Sequence, residues 1–411
     1  MTRLIADLPD FWHIVGKNSA DKNFPEEWSD LFAHPEWRVL RNGDAGIVLF
    51  RNRDLIEVAS NSAVGGTPTE LSLQRLLNRV YSASLQRLTR NLVFVNNPPS
   101  HAAIRQVFAA PLMPKTVASF ASLARDLVDQ LIEEHIGAGP IDFFSRVSAR
   151  LTARFWGALL GLTQEAVNSV PEHMRSLAPV LQISKTPEEI AALDGATARY
   201  LDLVSGAIDG SLERGATPLL QSMVALLAQV SDEAKPDPIG VIIAANLFDA
   251  FHTAAVGNSN VIFELLRSPS ALAAVRTDPS LVSNAVAEGL RLSPSFILTD
   301  RCALTDLELL GVSVPSGTSI GMLWAAGNRD PAAFENPDSY QLLRTNRRET
   351  TFGGGTRICP GRFAARMLAQ VTLDAVLSPH VRVELSGEPP AWISNSVGRQ
   401  LSHYPVVLTR V

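Results

Sequence analysis

Apolar residues recur at helical spacing through most of the chain. Val117, Phe120, Leu123, Leu127 and Leu131 fall three or four residues apart, which predicts one helix over 116–135, ended by Gly137 and Gly139. The same period predicts helices over 151–162, 187–212, 219–231 and 362–377. A longer helix is expected from near Pro238 to Ser268-Pro269, and another over 284–292, stopped ahead of Pro294. Residues 45–50 read as a strand, and 307–317 as a β-hairpin with a turn at its end. No internal repeat, low-complexity tract or long linker interrupts the pattern. The expectation is a mainly α fold with minor β, one domain over 1–411.

Composition narrows the classes. Of 411 residues, 46% are hydrophobic and 19% charged, enough to bury a large core. A net charge of −5 argues against nucleic acid, since binding phosphates needs a positive surface. Only Cys302 and Cys359 are present, so no disulfide framework is expected, consistent with a reducing cytoplasm. Residues 1–40 carry charges and prolines where a secretory signal needs an apolar core. The most apolar run, 241–251, is interrupted by Asn246 and Asp249 and reads as too short to span a bilayer. No membrane partner is expected.

The chemistry concentrates at Phe352-Gly353-Gly354-Gly355-Thr356-Arg357-Ile358-Cys359-Pro360-Gly361. One cysteine stands behind a glycine-rich loop and just before an apolar helix. Helix N-termini present unpaired N–H groups and positive dipole, which favour a thiolate. Glycines allow close approach of the main chain to a flat partner. A lone anionic sulfur so placed suits a heme iron as axial ligand. The spacing F-x-x-G-x-x-x-C-x-G, carried by Phe352, Gly355, Cys359 and Gly361, resembles the heme-binding signature of the cytochrome P-450 family.

Further segments match that family in order, over about 28–407. Glu288-Gly289-Leu290-Arg291 is an E-x-x-R on a helix, whose charged pair shares one face. Under the resemblance, Glu288, Arg291 and Arg344 form a structural ion-pair group that holds the cysteine loop. The segment from Asn96 to Arg105 is similar to the family's proline-led helix, implying that His101 and Arg105 pair with heme propionates. Arg301 and Arg357 fall where further propionate partners are implied. Asn328-Arg329-Asp330-Pro331, with Phe334 and Pro337, adds register only.

The central helix aligns Asp249-Ala250-Phe251-His252-Thr253-Ala254 over the heme. Thr253 matches the family's proton-relaying threonine, whereas the preceding carboxylate is replaced by His252. A histidine also moves protons near neutral pH. Asp249 lies at i−4 from Thr253 on the same face and stands where the family has a small residue; His252, at i+3, is an available partner for it. Asp249 is therefore expected to orient a polar substrate group, to join the relay, or to form a local pair with His252. Phe248, Asp249, Ala250, Ile297 and Leu298 are the expected pocket lining. Arg347, Arg348, Arg362 and Arg366 form a possible docking patch for an electron donor.

The resemblance implies the family's helical prism with small β-sheets and a heme b cofactor. It implies a monooxygenase inserting one atom of O2 into a C–H bond of a hydrophobic small molecule, such as a terpenoid or polyketide secondary metabolite. Electrons would come from a separate ferredoxin or flavodoxin with its reductase, in the cytoplasm. Desaturation, coupling or rearrangement without insertion is an alternative, as is a non-catalytic heme-binding sensor.

Overall fold

The computed structural model describes residues 2–15, 28–43, 46–68, 71, 82–183, 185–346, 348–387, 390–394 and 396–411. Helices build most of it, and the longest, Ile239–Leu266, runs through the middle. This central helix packs against Pro187–Glu213, Ala149–Leu160, Val282–Leu292 and Arg362–Val376. Its length follows from a mostly apolar stretch with no internal proline between Pro238, which caps the start, and Ser268-Pro269. Tyr200 fixes it from the side, its hydroxyl donating to the Ala244 carbonyl at 2.8 Å.

The segment Asp232–Leu266 is long and apolar enough to cross a membrane. The short run 241–251 therefore understates the helix, which continues to Leu266. Here most of it is buried by other helices, so its apolar surface serves the core.

Three small sheets sit at the edges. The five-stranded sheet orders Val39–Arg41, Gly46–Leu49, Ser319–Met322, Thr299–Ala303 and Val64–Gly65, with one parallel pairing, Ile47 opposite Ile320. Gly46–Leu49 is the strand expected over 45–50; Ala45 lies outside the described residues. A three-stranded antiparallel sheet joins Pro140–Asp142, Pro405–Arg410 and Val381–Leu385. The expected hairpin pairs Leu307–Leu309 with Val312–Val314, but its turn is at Leu310-Gly311, where both residues have positive φ. Pro315 to Gly317 only leads out of it.

The helix expected over 116–135 divides into Pro114–Ser119 and Ala121–Glu133. Phe120 caps the first and starts the second, and the chain from Ser100 to Glu133 bends by 69° there. The break turns the second helix, so Ala124, Val128, Leu131 and Ile132 are buried while Leu123 and Leu127 stay partly covered. Ahead of Ala149–Leu160 stands a π-helical stretch, Phe144–Ser148, and Ser259 of the central helix donates to Ser148 Oγ at 2.9 Å.

Candidate active site

The cysteine loop is closed by its own backbone. Cys359 N–H donates to the Phe352 carbonyl at 2.9 Å, and Gly353 and Gly355 take φ of 72° and 61° to make the turn. Gly355 has no alternative: a Cβ there would lie 1.9 Å from the Ala59 carbonyl oxygen. The helix Arg362–Val376 follows, with Gly361 as N-cap. A Cβ on Gly361 would sit 3.9 Å from Cys359 Sγ, an ordinary contact, so the space beside the sulfur does not itself demand glycine.

Burial and the carboxyl of Asp249 push the Cys359 thiol up to about 11, against smaller lowering effects from the Gly361 N–H, Arg105 and Arg362. The helix-end effect expected from the sequence is thus outweighed by desolvation. A metal cation supplies the missing charge, because a coordinating thiol is deprotonated outright.

Beside the loop lies a cluster of cationic donors. Arg105 donates to the Ile358 carbonyl. Arg357 donates to the Asn96 carbonyl and Asn97 Oδ1, both at 2.8 Å. Arg301 is 6% exposed and donates to the neighbouring Asp300 carbonyl at 3.0 Å. Burial lowers His101 to about 4, helped by the charges of Arg357, Arg105 and Arg301, which places all four groups in one field. Burial likewise lowers Arg301 to about 10, with Arg357 adding to the effect.

Among the described residues, none of the three guanidiniums forms an ion pair with a carboxylate. His101 Nε2 and Arg357 Nε are buried with no hydrogen-bond partner. Unpaired buried charge is costly, so such a cluster fits a group that brings its own anions. The two carboxylates of heme b meet that requirement, with an adjacent sulfur able to ligate its iron. The residues present fit the group.

On the central helix, Asn246, Asp249, Ala250, Thr253 and Ala254 are only partly covered, whereas most of the helix around them is buried. Their spacing puts them on one face. Asp249 and Cys359 keep accessible surface although protein surrounds both, and the Asp249 carboxyl acts electrostatically on the cysteine sulfur. This combination marks a hollow between the helix and the cysteine loop. Burial raises the Asp249 carboxyl to about 6.

Thr253 borders the same hollow. Its hydroxyl donates to the Asp249 carbonyl at 2.6 Å, and its own carbonyl accepts from Ser295 Oγ at 2.7 Å. His252 turns elsewhere. It is 7% exposed, with its ring edge-on to Phe144 at 6.0 Å and its Nε2 buried with no hydrogen-bond partner among the described residues. The expected pairing of His252 with Asp249 is not formed: i, i+3 spacing would allow it, but the His252 ring packs against Phe144 instead. Burial lowers His252 to about 4, so it is neutral at physiological pH.

Phe248 and Ala250 pack partly buried beside the hollow, Phe248 edge-on to Tyr200 at 6.0 Å. Ile297 departs from expectation: it is buried in a separate apolar cluster with Phe11, Trp28 and Phe50. Leu298, the next residue, is partly covered and lies against Gly321.

The sequence profile of the family described as Cytochrome P-450 matches residues 219–398, a span holding both the central helix and the cysteine loop. The C-19 steroid 1alpha-hydroxylase of Sorangium cellulosum (strain So ce56) is 28% identical over 316 residues, 75% of this chain and 79% of that protein. The 6-deoxyerythronolide B hydroxylase of Saccharopolyspora erythraea is 24% identical, covering 76% of this chain and 77% of its own length. The chain belongs to the cytochrome P-450 family. A solved cytochrome P-450 in complex with hexadec-9Z-enoic acid ligated acyl carrier protein shares the fold, with TM-score 0.80, 20% identity, and coverage of 92% of this chain and 97% of that one. The protein is a cytochrome P-450 monooxygenase of bacterial type, and its cofactor is heme b.

In this cytochrome P-450, Glu288, Arg291 and Arg344 do come together. Arg291 grips Glu288 with two bonds of 2.8 and 2.7 Å, and Arg344 Nε approaches the same carboxylate at 3.1 Å. Those bonds hold the Glu288 carboxyl below its ordinary range despite the opposing burial. Both guanidiniums also stack over Phe334. Of the suggested docking arginines, Arg366 is paired with Glu349 and lies over the Phe352 ring. Arg362 donates to the Cys359 carbonyl at 2.9 Å, and Arg347 lies outside the described residues. Half of that patch is therefore committed to holding the loop.

Asn97 is a residue whose role the sequence reading missed. Its Oδ1 accepts from Arg357 and from Gly66 N–H, coupling the cationic cluster to the chain near the first sheet. Its position inside the Asn96-Asn97-Pro98-Pro99 run was the available signal.

Proposed function

We propose that this cytochrome P-450 inserts one atom of O2 into a C–H bond of a hydrophobic small molecule of the secondary-metabolite kind. One observation carries the placement of the cofactor: three guanidiniums, His101 and a cysteine lie together, and among the described residues none of the three guanidiniums is ion-paired with a carboxylate. Cys359 would ligate the iron, and His101, Arg105, Arg301 and Arg357 would hold the propionates. The heme supplies reductive activation of O2, with the thiolate favouring O–O cleavage.

The chain's own residues set orientation and proton supply. Thr253 is the hydroxyl on the hollow-facing stripe and would pass a proton into the site by releasing its bond to the Asp249 carbonyl. Phe248, Ala250 and Leu298 would exclude water and press an apolar substrate against the reactive face. The Glu288 group keeps the loop rigid. The similarity to a steroid hydroxylase and a macrolide-ring hydroxylase supports a bulky apolar substrate. A separate ferredoxin or flavodoxin with its reductase would supply electrons, and the bacterial relatives support a cytoplasmic, single-domain protein.

A second reading rests on His252. Since it turns away, no acid–base side chain adjoins Thr253 where the family pattern has a carboxylate. Weak proton delivery would favour desaturation, coupling or rearrangement over insertion. The reduced protein with carbon monoxide is the first test: a strongly red-shifted Soret band is expected, and its absence after heme supply would overturn the reading. Product analysis under heavy-isotope dioxygen then separates the two chemistries, with one labelled atom in the product expected for insertion.

A further inference from the structure

Asp249 is the one ionisable side chain on the hollow-facing stripe of the central helix, and its carboxyl has no partner among the described residues. No lysine, arginine or histidine among the described residues forms an ion pair with it, and neither oxygen accepts a hydrogen bond from them. Only its backbone carbonyl is used, by Thr253. Its neighbours on that face, Ala250, Thr253 and Ala254, are small and carry no charge. His252, the nearest histidine in sequence, is turned toward Phe144 and Gln400. The other basic groups of the site, Arg105 and Arg362, act on Cys359 from the loop side.

A carboxyl in such surroundings is expensive to ionise alone and is stabilised by a cation brought to it. Burial already raises it to about 6, which is still low enough for an incoming positive charge to hold it ionised at neutral pH. A structural pair would have placed its partner in the protein, as Glu288 does with Arg291 and Arg344. Asp249 has none, and the hollow it faces is the space left for substrate.

We infer that Asp249 is a specificity-determining residue that pairs with a cationic ammonium group on the substrate, so that the substrate class is an apolar amine. The inference rests on the monooxygenase reading above and narrows it. The apolar body of such a molecule would lie against Phe248 and Ala250 while its ammonium group meets the carboxylate. The anchored end is thereby fixed, and the carbons presented for reaction are set by their distance from the nitrogen.

The test is ligand binding, read from the heme Soret shift, with two probes of equal shape. One is a phenylalkyl trimethylammonium ion, which cannot ligate iron; the other is its carbon isostere, the phenylalkyl tert-butyl hydrocarbon. The heme-loaded wild-type protein is expected to bind the ammonium probe more tightly, and Asp249→Asn to lose about thirtyfold or more of that affinity while keeping the hydrocarbon's. Equal binding of the two probes by wild-type protein would overturn the inference, even if the variant failed to fold. So would unchanged ammonium affinity in a heme-loaded Asp249→Asn, or a variant that binds both probes normally but loses coupling of electrons to product. The carbon monoxide spectrum, taken on the same samples, reports separately on the underlying monooxygenase reading.

Discussion

Replacing Arg291 with alanine removes the most heavily engaged side chain near the cysteine loop. All five of its N–H groups are used: two on Glu288, two on the carbonyls of Asn328 and Pro337 at 2.9 and 2.6 Å, and one on the Ser339 carbonyl at 3.1 Å. Arg291 is 2% exposed, so water cannot easily take over these bonds. Breaking a buried pair from one side costs about 3–5 kcal/mol, and orphaned carbonyls add to it without summing simply. Arg344 still reaches Glu288, so the remaining carboxylate is half compensated and the lower end, about 3 kcal/mol, is the expected loss. The damage should reach the cofactor, because Asn328 also accepts from the Thr350 N–H at 2.6 Å, two residues before Phe352. Urea unfolding followed by tryptophan fluorescence, with heme retention scored on the same samples, measures both. Arg291→Lys keeps the charge but not the planar fork and should fall between wild type and alanine. A loss below about 1 kcal/mol with heme fully retained would refute the assignment of the group as the loop's support. The pH dependence has a definite sign. Glu288 is held below its ordinary range, so its contribution is complete above the ordinary carboxylate pKa and disappears as acid carries the pH down through the depressed value.

Two other perturbations test separate parts of the site. Gly355→Ala would force a Cβ to within 1.9 Å of the Ala59 carbonyl oxygen at a φ of 61°, so the loop must shift and holoprotein yield should fall severely; normal heme incorporation would show that the loop is not held there. His252→Phe should leave electron coupling within about twofold of wild type, and the pH–rate profile unchanged between roughly pH 5 and 8, since the imidazole is already neutral there; uncoupled turnover with an intact carbon monoxide spectrum would restore His252 to the proton path.

What the chain discloses in advance, and what it conceals, follows from helix geometry. The Cys359 loop was legible because Gly353 and Gly355 answer a local demand, a positive φ, that no distant residue can relieve. Glu288 and Arg291 were legible as a pair because i, i+3 fixes their relative angle. Relative angle is all that spacing gives, however. The central helix is apolar on nearly every side, so hydropathy does not mark which face meets the hollow, and nothing local tells that His252 packs on Phe144. The break at Phe120 hid for a related reason, since the apolar period runs straight through it while the buried face rotates. Ile297 and Leu298 differ by one residue and both pack on the apolar cluster around Phe50, yet only Ile297 is fully buried in it, a distinction residue type does not reveal. Asp249 lies between these cases. Its charge in an apolar helix was visible from the sequence, but its lack of a partner depends on where every other basic side chain ends up. That absence, a property of the whole fold, turns an odd residue into a statement about the substrate.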